Sequence, residues 1–280
     1  MKLLQFYDLQ DPNRVPRVGI MEEDDQIISF QKGLSAKEII RHPDRYRAED
    51  GAKRRRLDEV KLLPPITDPE KIICIGLNYY DHVLESQMEV PKVPVLFPKY
   101  NNCLAGHGDE IVIPSEVTQC DYEVELAVVV GKTAKRVPVE SALDYVYGYT
   151  ILNDVSARDI QLHEPQWTRG KTIDGFAPTG PWIVTADEIS NPGQLGISLK
   201  LNGEAMQASN TKELIFDIPY LISFLSRTLT LQPGDIISTG TPPGVGMGRK
   251  PPVWLKDGDV VEATVEGIGT LRNTFAAERG

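Results

Sequence analysis

The sequence predicts an α+β fold in which strands dominate, with a small β-rich unit ahead of a larger one. Three observations predict it. Short strand-like segments recur along the chain, the longest running from Asp121 to Val130. Turn signals separate them, above all Asn202-Gly203, a strong hairpin dipeptide. Helical periodicity is confined to brief stretches: Lys37–Ile40, Val137–Val146 and Ile218–Thr228.

In the first unit, residues 1–66, Met1–Tyr7, Arg17–Met21 and Gln26–Ser29 read as a meander, and Ser35 is placed to cap the helix at Lys37–Ile40. Arg45–Lys61 is charge-dense. Its basic tetrad, Lys53–Arg56, is surrounded by Glu49, Asp50, Asp58 and Glu59, so it reads as a solvated linker or helix face. Leu62-Leu63-Pro64-Pro65 marks the boundary.

The second unit, residues 67–280, opens with a buried strand, Lys71–Gly76. In the short helix expected next, capped by Asn78 or Asp81, His82 and Glu85 stand one turn apart. Such a pair is either a surface ion pair or an imidazole that a carboxylate activates for proton transfer. Ser86–Pro98 is proline-rich and long enough to read as a lid. His107, in a glycine turn, reads as exposed. The helix at Val137–Val146 is expected to end near Gly148. Tyr149–Asp154 reads as a strand that delivers Asp154 at its end, and Lys171 sits in a loop between Gly170 and Thr172. Thr179–Thr185 and Ile197–Leu201 are further strands, and Pro219 in the first turn of Ile218–Thr228 is compatible with a helix. After the strand Gly234–Gly240, the glycine-rich run Thr241–Gly248 lacks GK[ST] and is followed by Pro251-Pro252. It reads as a rigid turn offering backbone N–H groups to a carboxylate, not as a phosphate loop.

Asp121-Tyr122-Glu123-Val124-Glu125-Leu126 alternates with period two, so its three acids share a face. Either this is an edge strand with acids in water, or the acids are buried and compensated by a proton, an arginine or a metal ion.

Composition narrows the function classes. The chain has 280 residues, 41% hydrophobic and 25% charged, with 40 acids against 30 bases and a net charge of -10. That balance disfavours nucleic acid and anionic membrane surfaces as partners. Three cysteines without a CxxC pair point to a reducing, cytoplasmic setting. There is neither a signal-peptide-like start nor an apolar run of the ~18 residues a membrane span needs.

Taken together, Gly76–His82 with Glu85, Tyr122–Glu125, Asn153–Asp159 with Gln161, Gly170–Asp174 and Ser238–Gly246 make the region from about residue 70 to 280 resemble the fumarylacetoacetate hydrolase family, whose motifs occur in this order. The resemblance implies a mixed β-sandwich or β-roll catalytic domain and a homodimer. It implies Mg²⁺ or Mn²⁺ on Glu123, Glu125 and Asp154, with His82 and Glu85 activating water. Lys171 would face the substrate, and Gln161, Thr241 and Arg158 would contact it. The implied substrates are 2-oxo or 2,4-dioxo acids. The implied reaction is C–C hydrolysis of an acylpyruvate, fumarylpyruvate or diketo sugar acid through a stabilised enolate. The alternatives are oxaloacetate decarboxylation or tautomerisation on the same site, or metal-dependent dicarboxylate binding without turnover. Leu77 stands where several acylpyruvate-type relatives carry arginine.

Overall fold

The computed structural model describes residues 1–22, 25–30, 33–46, 54–86 and 89–279, with residues 84–86 described by backbone alone. The N-terminal strands are β1 (Lys2–Asp8), β2 (Arg17–Met21), β3 (Gln26–Ser29), β4 (Arg55–Arg56) and β5 (Val60–Leu63), with helix α1 (Ala36–Arg41) between β3 and β4. Then come β6 (Ile72–Gly76), α2 (Tyr80–Ser86), β7 (Val95–Lys99), β8 (Leu104–Ala105), β9 (Glu110–Ile113), β10 (Cys120–Asp121), β11 (Val124–Val130) and β12 (Val146–Asn153). The next group is β13 (Ser156–Ala157), α3 (Arg158–Gln161), α4 (Thr168–Lys171), β14 (Ala177–Thr185), β15 (Gly196–Leu201) and β16 (Glu204–Asn210). The chain closes with α5 (Ile218–Ser226), β17 (Ile236–Ser238), β18 (Val260–Val265) and β19 (Gly269–Ala277).

One large sheet runs in the order β4-β3-β2-β1-β14-β12-β11-β17-β6-β7, and a second runs β16-β15-β18-β19-β9. The strands are mixed in direction: β17 is parallel to β6 and antiparallel to β11. The α+β, mainly β class expected from the sequence is the class observed. The meander β1–β2–β3 and the hairpin β15–β16 stand where the alternation places them. Ser35 caps α1, with Glu38 completing a capping box.

Strand β11 lies in the interior of the large sheet and is buried along its whole length. Val124, Leu126, Val128 and Val130 pack with Ile197, Leu199, Val261 and Ala263 of the second sheet in the main core. On the opposite face, Ala127 packs with Cys74, Phe97 and Ile236, and Val129 packs with Leu3, Phe30 and Ile39. Glu123 and Glu125 belong by alternation to that second face, at the end where its apolar cover stops.

Several expectations change. Residues 1–66 do not stand apart, because β1 pairs with β14 and shares a core cluster with Val129 and Ile183. In the charge-dense segment, residues 47–53 lie outside the described ones, whereas Arg55 is buried and donates from Nε to Asp8 Oδ2 at 2.7 Å. The stretch read as a lid overlaps a strand, since residues 95–99 form β7 at the sheet's edge, where Pro98 is tolerated, and residues 87–88 lie outside the described ones. Val139–Tyr145 is a 3₁₀ turn rather than an α-helix, and Gly148 lies inside β12. There a Cβ would sit 2.2 Å from the Val184 carbonyl, so packing against β14 requires glycine. Asn78 does not cap α2. Its amide donates to the Phe216 and Thr239 carbonyls and its Oδ1 accepts from Phe216 N.

Candidate active site

The acidic strand meets the end of β12. Val124 pairs with Asn153, Asp154 N donates to the Glu123 carbonyl at 2.8 Å, and Glu123 N donates to Asn153 Oδ1 at 2.9 Å. Glu123 and Asp154 are therefore locked together through the backbone before their side chains are considered. Glu125 comes two residues along the same face. Its Oε2 accepts from Ser238 Oγ at 2.5 Å and Gly240 N at 2.9 Å. Gly240 has φ +107 and faces Asn78 Cβ, so the turn that aims this N–H excludes a side chain. Glu123, Glu125 and Asp154 each place one oxygen within 4.8 Å of the others, all buried.

Two cations donate hydrogen bonds to this cluster, and a third, Lys99, pairs with Asp154. Arg158, the first residue of α3, donates from Nη2 to Glu123 Oε1 at 2.5 Å, from Nη1 to Gln161 Oε1 at 2.9 Å and from Nε to Asp121 Oδ2 at 2.8 Å. Lys171, at the end of α4, donates to Glu123 Oε2 at 2.6 Å and Asp154 Oδ2 at 2.7 Å. It is buried rather than on a surface turn. Gly170 permits this: a Cβ there would lie 2.6 Å from Gln161 N and 2.8 Å from the Ala157 carbonyl, so α4 can press on α3 only with glycine.

The two glutamates are tuned in opposite directions. Burial pushes the Glu123 carboxyl up, but Arg158 and Lys171 outweigh it and bring it down to about 2. Burial, then the charges of Asp154 and Glu123, hold Glu125 well above the usual carboxylate range, against the bonds from Ser238 and Gly240. Burial lowers Lys171, yet Asp154 and Glu123 leave it raised.

Lys99, at the end of β7, escaped the sequence reading. Its Nζ donates to the carbonyls of Val155 at 3.1 Å, Phe176 at 2.8 Å and Lys171. Its three N–H groups are thus spent. It also lies 2.8 Å from Asp154 Oδ1, but that oxygen accepts no hydrogen bond. The contact is an ion pair without a hydrogen bond. An alternation signal existed, because Lys99 shares the inward side of β7 with Phe97.

A cavity of about 110 Å³ lies over the cluster. Besides the three acids, His82, Arg158, Gln161, Lys171 and Thr241 line it, and its apolar walls include Leu77, Phe97, Leu162, Trp167 and Met247. Thus every sequence-derived site residue whose side chain is described reaches one cavity. Glu85 lies in α2, but its side chain is outside the described residues. His82 is buried on α2, and its backbone N–H donates to Asp81 Oδ1 at 3.0 Å. Thr241 Oγ1 donates to the Val124 carbonyl and accepts from Gln207 Nε2. Leu77 holds φ +54, a strained backbone for a branched residue at the cavity wall. Cys74, Cys103 and Cys120 are buried free thiols, and burial pushes each of them up. The glycine-rich turn does offer N–H groups to a carboxylate, but its partner is the chain's own Asp121, which Arg158 joins to Glu123. His107 is not at the site, and its Nδ1 meets Arg272 N at 3.2 Å.

The residues fit a divalent cation. Three carboxylates without histidine suit a hard ion with oxygen ligands, Asp154 Oδ1 lacks a hydrogen bond, and Glu125 carries a charge burden that only a proton or a cation relieves.

Fold and site define a class of mixed-β enzyme whose acid–base side chains line a cavity over a buried carboxylate cluster. The family model described as fumarylacetoacetate (FAA) hydrolase C-terminal matches residues 71–276, and the chain belongs to the fumarylacetoacetate hydrolase family. A mitochondrial oxaloacetate tautomerase from Xenopus laevis is 50% identical over 216 residues, covering 76% of this chain and 68% of its own. The structure of a fumarylacetoacetate hydrolase from psychrophilic Exiguobacterium antarcticum superposes with a TM-score of 0.89 at 38% identity, covering 99% of this chain and 100% of the other. A maleylpyruvate hydrolase from Sphingobium sp. SYK-6, in complex with manganese (II) ion and pyruvate, gives a TM-score of 0.81 at 29% identity over 100% of both chains.

Proposed function

We propose that this protein is a divalent-cation-dependent oxaloacetate tautomerase, acting through the enolate of a small 2-oxo acid. The observation that carries the reading is the buried cluster Glu123, Glu125 and Asp154 sharing a cavity with His82 and Lys171. The choice of oxaloacetate is supported by the relatives named oxaloacetate tautomerase, from 46% to 50% identical. The hydrolase expected from the sequence becomes the second reading, favoured by the similarity to the maleylpyruvate hydrolase bound to manganese and pyruvate.

Glu123, Glu125 and Asp154 would hold Mg²⁺ or Mn²⁺, which would supply Lewis-acid polarisation of a 2-oxo group. The chain's own groups handle protons. The His82 imidazole accepts a proton from carbon 3 of oxaloacetate, and the Lys171 ammonium gives one to the oxygen on carbon 2, so the proton count is unchanged. Arg158, Gln161 and Thr241 bind and orient the acid. In the hydrolytic reading, His82, paired with Glu85, takes its proton from water instead. We further propose that residues 67–280 form the catalytic part, that residues 1–66 extend its sheet, that two chains make a homodimer, and that the setting is cytoplasmic. No helix among the described residues is long and apolar enough to cross a membrane.

The test follows the enol absorbance of oxaloacetate, fumarylpyruvate and acylpyruvates with Mn²⁺, with Mg²⁺ and after EDTA. Oxaloacetate enol should decay faster with cation and return to the uncatalysed rate with EDTA. His82→Ala should keep cation binding and lose the acceleration. Cleavage of the dioxo acids without any effect on oxaloacetate would reverse the order of the two readings. Full activity in EDTA would sink the cation assignment.

A further inference from the structure

We propose that Asp121 is a positioning residue: it divides the Arg158 guanidinium so that a single N–H reaches Glu123, and so limits how far Arg158 competes with a divalent cation for that carboxylate. The inference rests on the reading of Glu123, Glu125 and Asp154 as the cation site.

Asp121 is fully buried, and both of its oxygens are engaged. Oδ1 accepts from Gly246 N at 2.6 Å and Tyr122 N at 2.9 Å, while Oδ2 accepts from Arg158 Nε at 2.8 Å and Met247 N at 3.1 Å. The socket is built to size. A Cβ on Gly246 would lie 2.0 Å from the Val253 carbonyl and 2.7 Å from Asp121 Oδ1. The carboxylate thus ties the glycine-rich turn to α3, and Met247 and Arg158, which it holds, both line the cavity.

The effect on Glu123 follows from the fork of Arg158. Its Nε, Nη1 and Nη2 point to three separate acceptors, Asp121, Gln161 and Glu123. Only Nη2 reaches Glu123. A guanidinium with one carboxylate neighbour prefers to pair with it through two parallel N–H groups. With the charge of Asp121 removed, Glu123 is the carboxylate left to Arg158. A two-point pairing there, with Lys171 already on Oε2, would take the lone pairs a cation needs. Asp121 therefore divides the guanidinium between two acids and tempers its competition for Glu123. Neither the acidic alternation nor the glycine-rich turn alone discloses this role, because it depends on both meeting at one arginine.

The experiment titrates the purified full-length chain with Mn²⁺ and reads free Mn²⁺ by electron paramagnetic resonance. A thermal melt accompanies each variant. Asp121→Asn, which keeps the shape and removes the charge, should weaken Mn²⁺ binding by about 10- to 100-fold, the usual effect of losing a partner behind a metal ligand. The double variant Asp121→Asn with Arg158→Gln should recover most of that loss, since the competing cation is gone. A merely structural role for Asp121 would make the double variant no better than the single. That result overturns the proposal, as does Asp121→Asn binding Mn²⁺ like the wild type. Should Asp121→Asn not fold, Arg158→Gln alone carries the test: its Mn²⁺ affinity should equal or exceed that of the wild type, and a loss of about tenfold overturns the proposal. No Mn²⁺ binding by the wild type would overturn the cation site together with this inference, whereas the variant results bear on this inference alone.

Discussion

At the residue scale, the site is a problem of opposed charges in a small volume. Glu123, Glu125 and Asp154 are answered by Arg158, Lys171 and Lys99, and the two glutamates settle differently because Glu123 touches Arg158 and Lys171 whereas Glu125 accepts from the neutral Ser238 and Gly240. The signs of their pH dependence are opposite. Glu123 is depressed to about 2, so its ionised form contributes stability that is present above its ordinary value of about 4.5 and is lost as pH falls toward about 2. Glu125 is raised, so in the cation-free protein it contributes stability that is present at low pH and falls as pH rises through its elevated value. A cation must displace that proton. Mn²⁺ binding is therefore expected to release up to about one proton and to tighten as pH rises. Calorimetric titration in two buffers of different ionisation heat measures the release. Equal heats in both buffers would mean that Glu125 is already ionised.

At the element scale, two contacts hold the side chains that line the cavity in place. Lys99 joins β7 to the segments carrying Asp154 and Lys171 by donating to three carbonyls. Lys99→Met leaves those carbonyls unpaired and is expected to cost about 3–5 kcal/mol in urea unfolding, the range for breaking a buried charged network. A cost below about 1 kcal/mol would show that the three bonds are dispensable. The second contact is the packing of α4 on α3 at Gly170. Gly170→Ala must separate the two helices, because the atoms it meets are backbone. Lys171 and Gln161 move with them. The expected result is a fall in kcat of up to about 10²-fold, larger than the accompanying change in melting temperature would explain. A variant with wild-type kcat would remove Lys171 from the catalytic scheme.

At the scale of the whole molecule, the strand that carries the acids is also the strand that joins the layers. β11 packs on the second sheet by one face and, through Val129, on the N-terminal cluster by the other. A cation on Glu123, Glu125 and Asp154 would bridge β11 to the end of β12, near the centre of the large sheet. Saturating Mn²⁺ at a hundred times its dissociation constant should add about 2.7 kcal/mol by mass action. This would appear as a rise in melting temperature that EDTA reverses. No shift on adding Mn²⁺ would argue against binding to the native state.

The sequence by itself determined the local elements and the types of chemistry. Alternation placed Glu123 and Glu125 on one face, the strand read at Tyr149–Asp154 delivered Asp154 at its end, and Asn202-Gly203 marked its hairpin. These are short-range matters of backbone period and turn conformation, readable within a few residues. Only the tertiary structure decided that β11 is interior rather than an edge, that Lys171 is buried rather than on a surface turn, and that Lys99 and Asp121 belong to the site. Each of these depends on partners far along the chain: Asp121 meets Gly246 across 125 residues and Lys99 meets Phe176 across 77. A lone lysine or aspartate looks the same in sequence whether water or a distant backbone satisfies it. The cost of burying its charge is offset only where folding brings the partners together.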